Sequence, residues 1–190
     1  MRVRACLPMG LMLLMVASTG CERSETRRAR QVMDLVRTME TELQTTAKQA
    51  AGAFSRRADF EDLRMAFGDE RFDAGTPLGP DFQGNLAAMI QGLHAQFEKE
   101  PKDAGFPKKV ARRINQFGQW WSFVRHYLET RRDQLNRAAA NGGEPVSLPG
   151  GRTLRGEVLT TLGEVIKVVE AFETITNRCA RGIEGIVARS

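Results

Sequence analysis

The chain has 190 residues, a formal charge of +5 and 42% hydrophobic residues, enough apolar material for one domain with its own core. So mild a positive balance makes no case for a nucleic-acid partner, and none is expected. Helix formers dominate, alternation of period two is almost absent, and no internal repeat stands out, so the expected class is all-α.

The chain opens with Arg2 and Arg4, and residues 7–17 then form an apolar run broken only by Pro8 and Gly10. That run has the length of a signal-peptide core and falls short of a membrane span, which needs about 20 apolar residues. The small residues Ala17, Ser18, Thr19 and Gly20 lead to Cys21. This stretch resembles a bacterial lipoprotein signal, in which small residues precede a cysteine that becomes lipid-modified and N-terminal. The resemblance covers residues 1–21 only. Thr19, Gly20 and Cys21 fit it, while Ser18 stands where a branched aliphatic residue is usual.

The resemblance implies a signal peptide of residues 1–20, a mature domain of residues 21–190 and lipid attachment at Cys21. It also implies a lipid-anchored address in the bacterial cell envelope. Glu22 resembles the residue that sorts such proteins to the outer membrane, with the domain facing the periplasm. Ordinary secretion, with Cys21 left as a plain thiol, is the alternative. Cys6 would leave with the signal and Cys179 has no partner, so no intramolecular disulfide is expected.

Residues 24–54 are expected to form the first long helix, with Val32, Val36, Met39, Leu43, Ala50 and Ala53 along one seam. Asp59 and Asp62 resemble a capping pair. Phe60, Leu63 and Phe67 then carry an apolar stripe to Gly68, either as a continuation or as one short extra helix. Residues 68–80, with Gly and Pro, read as a loop. Asp81 is placed to cap a second helix lined by Phe82, Leu86, Met89, Ile90, Leu93 and Phe97, which Pro101 ends.

Residues 106–141 form the third and most prominent helix. Pro107 opens it, and Asn141, Gly142 and Gly143 stop it. Val110, Ile114, Phe117, Trp121, Val124 and Leu128 recur at spacings of four and three, a coiled-coil-like seam. Trp120, Phe123 and Tyr127 add a second row, so this helix is expected at the centre of the bundle, covered on two sides. After a loop over residues 141–151 comes the last helix, residues 153–188. Its seam runs Leu154, Val158, Leu162, Val165, Val169, Phe172, Thr176, Cys179, Ile183 and Ile186. The short connections favour an elongated up-down-up-down four-helix bundle.

Up-down-up-down order would gather Arg27, Arg28, Lys108, Lys109, Arg112 and Arg113 at the anchored end, and Asp59, Glu61, Asp62, Asp69, Glu70, Asp73 and Asp81 at the other. Cations in the first turns of a helix oppose its dipole by about 0.3–1 kcal/mol each. Either Glu98, Glu100 and Asp103 compensate locally, or this end rests on anionic headgroups.

Little else suggests chemistry. His126 and Glu129 reverse the Glu-x-x-His order of dimetal bundles and occur once, so no metal is expected. Haem held between His94 and a methionine has only weak support, and no cofactor is expected. Cys179 lies on an apolar seam and reads as inert core. Gly156 and Gly163 read as close-packing positions beside the tryptophans, while for Gly182 and Gly185 close packing and a flexible C-terminal stretch both stay open. Trp120 and Tyr127 are either core or an exposed patch for a partner.

No catalytic set is visible. The functional expectation is therefore a non-catalytic, lipid-anchored binding or scaffold protein of the envelope, its partner another envelope protein. A bundle holding haem, metal or lipid between its helices is the alternative.

Overall fold

The computed structural model describes residues 10–68, 78–140, 147–148, 152–154 and 156–189, with side chains from residue 24 onward except at 139 and 152. Helix accounts for 87% of the described residues, which makes the chain all-α. The described helices are α1 (Gly10–Gln49), α2 (Ala51–Phe54), α3 (Arg57–Phe67), α4 (Phe82–Lys99), α5 (Phe106–Ala140) and α6 (Gly156–Ala188). Part of the segment expected as plain loop forms a small antiparallel ladder, β1 (Ser147–Leu148) with β2 (Arg152–Thr153). That pairing holds Thr153 extended, so α6 starts three residues later than its apolar pattern suggests.

The last helix, and not α5, is the hub. Three adjacent heptad rows of α6 are buried: Val158, Val165, Phe172, Cys179 and Ile186; Leu162, Val169, Thr176 and Ile183; and Thr161, Val168 and Ile175. A stripe that wide needs neighbours on several sides. On α5 the second row does not close. Phe123 is 60% exposed, and Trp120 and Tyr127 are half-buried against the core edge. The row faces away from α6, so α5 is an outer helix.

The long helices meet antiparallel. Leu35 of α1 abuts Gly182 of α6, and Glu42 pairs with Arg178 at 3.2 Å. Gln83 of α4 donates to the Ala47 carbonyl of α1 at 3.0 Å, and His94 meets Glu40 further along. Between α5 and α6, Asn115 donates to Glu184 at 3.0 Å and Arg125 to Glu173 at 2.7 Å. Across the middle runs a chain of rings. Phe54 stacks on Phe82 at 4.1 Å, Phe82 on Phe172 at 5.5 Å, and Phe172 meets Trp121 edge-on at 4.9 Å. It joins α2, α4, α6 and α5, and each such pair is worth about 0.5–1.5 kcal/mol beyond its buried area.

The short helices differ from a simple continuation of α1. Ser55 Oγ donates back to the Gly52 carbonyl, Arg56 leaves helical geometry (φ −81, ψ 66), and α3 is separate. It ends on Gly68 in the left-handed conformation (φ 59), which glycine adopts without strain. Asp59 does not cap. Arg56 holds the cap position without a side-chain bond, and Asp59 instead accepts from the buried Thr161 hydroxyl of α6 at 2.6 Å. Thr161 in turn accepts from Arg56 Nη1 at 3.0 Å, and Arg56 reaches Glu164 at 3.4 Å. Asp81 does stand at the N-cap of α4, but its carboxylate pairs with Arg57 at 3.3 Å and makes no capping bond. In both cases a tertiary cation or hydroxyl outcompetes the local amide.

Close packing at glycine occurs elsewhere than expected. A Cβ at Gly156 or Gly163 would meet nothing within 4 Å. At Gly118 it would meet Asn177 Oδ1 at 2.7 Å, and at Gly182 it would meet Leu35 Cδ1 at 3.1 Å. Gly163→Ala should therefore raise stability by about 0.5–1 kcal/mol through helix propensity alone. Gly118→Ala should gain less than Gly163→Ala, because the end of the Asn177 side chain must rotate away and that offsets the propensity gain. Urea unfolding of the two variants checks this; a loss at both positions would contradict the packing assigned to α6.

Candidate functional site

The turn that starts α5 is rigidly built. Asp103 Oδ1 accepts from the Gly105 amide at 2.9 Å, and Lys102 donates to the Phe97 carbonyl while lying 4.2 Å over the Phe106 ring. Out of this turn rise Lys108, Lys109, Arg112 and Arg113. Lys109 is compensated locally, with Glu100 at 3.5 Å and Asp103 at 3.7 Å. Glu98 is not available to the others, because it bonds His94. Among the described residues, Lys108, Arg112 and Arg113 are exposed and have no carboxylate within ion-pair distance.

Lys108 and Arg112 border a shallow depression beside Glu184 and Val187 of α6. On the other flank of the same α6 turns lies a larger groove against α1, of about 1000 Å³. Arg27, Arg28 and Arg189 rim it, and Leu35, Gly182 and Ile186 form its floor. The α1 and α5 cations thus sit at one end of the molecule, joined by the last turns of α6. In the sequence Cys21 precedes by three positions Ser24, the first residue lining the groove. The acidic set expected at the opposite end lies partly outside the described residues, since Asp69, Glu70 and Asp73 do. Of the rest, Asp59 and Asp62 are buried.

A pairing of carboxylates and histidine escapes a reading of the chain in order. His94 Nδ1 lies 3.0 Å from Glu40 of α1, and Nε2 lies 3.1 Å from Glu98 of α4. The Glu98 contact is legible as an i,i+4 spacing; the Glu40 contact, 54 residues away, is not. The hydrogen bond that the imidazole donates to the Glu40 carboxylate raises the His94 pKa above 6.5, and burial opposes it only in part. Both ring nitrogens are thereby engaged by carboxylates.

His126 is exposed, and its neighbour Glu129 turns to Arg125 at 3.4 Å. Among the described residues no group of three His, Cys, Asp or Glu side chains is placed to hold a metal ion, and no helix is long and apolar enough to cross a membrane. The Cys179 thiol is pushed up to about 12, first by burial and then by Glu40 and Glu42, and its sulfur donates to the Leu35 carbonyl at 3.6 Å. Trp120 and Tyr127 flank the exposed Phe123, and Arg131 stands 5.3 Å over the Tyr127 ring. Comparison with protein-family models, curated proteins and solved structures returned no match.

The two titratable groups give checks with opposite outcomes. Because the folded His94 pKa is raised, its tie between α1 and α4 is fully present below 6.5 and fades as pH rises through the folded value. The difference in melting temperature between wild type and His94→Gln should be largest near pH ~6 and shrink toward pH ~9. A difference that grows with pH would contradict the tie. Cys179 should resist thiol reagents at pH ~8 until the protein unfolds. Modification that outpaces unfolding, followed by mass, would contradict its burial.

Proposed function

We propose that the chain is a lipid-anchored protein of the bacterial cell envelope, attached through Cys21 at the outer membrane and facing the periplasm. In this reading α1, α4, α5 and α6 are the four alternating rods of an up-down-up-down bundle, which stands with its basic end toward the lipid. The bundle acts as a non-catalytic binding or scaffold protein for another envelope protein. One observation carries the reading. Three cations in the first turns of α5 lack carboxylates among the described residues and share an end with Arg27, Arg28 and Arg189. Each opposes the helix dipole, and an anionic surface would reverse the sign of that term. Basic residues near such a surface contribute about 1 kcal/mol each.

The export-signal resemblance supplies the anchor, three positions before Ser24 in the sequence. The surface left for a partner is the side of α5 around Phe123, with Trp120 and Tyr127 beside it. Exposed aromatics of this kind are what interfaces bury at their centre.

Protein purified from native membranes should yield an N-terminal peptide beginning at acylated Cys21, and Cys21→Ser should release the protein from the membrane. An unmodified Cys21 in the mass spectrum removes the anchor. Charge reversal of Lys108, Arg112 and Arg113 together should weaken adsorption to anionic vesicles by about ten-fold or more at low salt, and leave adsorption to zwitterionic vesicles unchanged. Equal adsorption by both proteins removes the orientation.

A further inference from the structure

We infer that the groove between α1 and α6 holds a single anionic phospholipid, with its phosphate among Arg27, Arg28 and Arg189 and the start of one acyl chain along Leu35, Gly182 and Ile186. The inference rests on reading this end as the membrane-facing one, and it adds a discrete site to a diffuse electrostatic contact.

The chemistry of the lining selects the occupant. An acyl chain alone would leave the rim cations unanswered. A small soluble anion would leave the floor wet. Of the residues lining the groove, Asp34 is the acid, and its carboxylate is held 3.3 Å from Arg37. Arg27 and Arg28 make no ion pair among the described residues. Among the described residues Arg189 donates to the Gly185 carbonyl of its own helix, at 2.9 Å, through Nε. That bond leaves its two terminal amino groups for a phosphate, which guanidinium binds by paired hydrogen bonds.

The floor exists because Gly182 lacks a side chain. The Leu35 Cδ1 methyl already stands 3.1 Å from where its Cβ would be, so a larger residue would crowd Leu35 and fill the floor. The first lining residue, Ser24, stands three positions after Cys21 in the chain, so in the function proposed above the groove lies close to the point where the chain is tied to lipid. An amphiphile with one negative headgroup and an apolar tail meets both halves of the lining.

Native mass spectrometry of the full protein, isolated from membranes in a neutral detergent, tests this with three probes: dioleoyl phosphatidylglycerol, dioleoyl phosphatidylcholine and glycerol 3-phosphate. The expected result is one retained phosphatidylglycerol, favoured over phosphatidylcholine by about ten-fold or more, with glycerol 3-phosphate unable to displace it. The triple variant Arg27→Gln/Arg28→Gln/Arg189→Gln should lose that preference with little change in melting temperature, since Arg27 and Arg189 are exposed and Arg28 half-buried. The triple variant Lys108→Gln/Arg112→Gln/Arg113→Gln should adsorb less to anionic vesicles yet keep the bound lipid.

Equal retention of the two lipids overturns the groove. So does full displacement by glycerol 3-phosphate, or an unchanged preference in the arginine variant. If the groove fails while the lysine-containing variant still loses vesicle adsorption, the membrane-facing reading stands without it. If neither triple variant changes adsorption, that reading fails as well.

Discussion

Three rows of α6 have to leave water at once, and no single neighbour can cover them. The row from Val158 to Ile186 and the row from Leu162 to Ile183 lie side by side, and Thr161, Val168 and Ile175 widen the stripe further. Burial of a Val, Leu, Ile or Phe side chain contributes about 1.5–3 kcal/mol, so leaving one row exposed would cost more than most domains have to spare. The result is a helix with α1 and α5 against it and α2 and α3 closing the N-terminal half. The two threonines in this stripe do not weaken it. Thr176 bonds the Phe172 carbonyl of its own helix at 2.7 Å, and Thr161 bonds Asp59 at 2.6 Å. Thr161 thereby converts a polar position in the core into the tie that fixes α3.

Charges follow the same division between middle and end. In the middle they pair across helices: Arg125 with Glu173, Arg178 with Glu42, His94 with Glu40. The exposed pair of Arg178 with Glu42 contributes about 0–1 kcal/mol, and the two part-buried pairs fix the register between rods. Toward the end formed by Arg27, Lys108 and Arg189, Lys109 pairs locally with Glu100 and Asp103, while Arg27, Arg28, Lys108, Arg112 and Arg113 have no ion pair among the described residues. Nothing in the folding energetics requires cations at the start of α5, where the dipole disfavours them. Selection for solubility alone would be served as well by acids there. In the function proposed here, an anionic surface would offset a cost that the fold itself does not return.

Much of the helical content was legible, because seams such as Val32–Val36–Met39–Leu43 and Phe82–Leu86–Ile90–Phe97 write their period plainly and are buried as read. The hub was not. Apolar width on α5 came from Trp120, Phe123 and Tyr127, and composition cannot tell an aromatic row that packs from one that faces water. On α6 the third row hides behind a threonine, Thr161, so the stripe looked narrower than it is. Capping failed at Asp59 and Asp81 for a related reason: a carboxylate beside a helix start serves the amide only when no cation or hydroxyl from another element arrives first. Close packing failed at Gly156 and Gly163 for want of partners. Whether Gly118 or Gly163 is tight depends on what the facing helix presents, Asn177 in one case and open space in the other. The Arg27–Arg189 groove and the Glu40–His94 contact each join residues far apart in the chain, and no local spacing carries them.

These strands meet in the last turns of α6. There the helix changes character, from bulky Phe172 and Ile175 to Gly182 and Gly185, and only Gly182 of the pair is in tight contact. Close approach at Gly182 draws α1 inward and keeps Leu35 at the bottom of a trough whose walls are longer side chains. Gly185 leaves its carbonyl to Arg189, which curls back and so stands over the trough and not beyond the end of the helix. A single substitution pattern, small residues on one face and arginine four positions on, thus does two things. It ends the apolar stripe that organises the bundle, and it turns the end of that stripe into a cationic, partly apolar surface. The packing constraint and the electrostatic asymmetry are therefore consequences of one stretch of sequence, residues 182–189, read first by α1 and then by whatever the basic end meets.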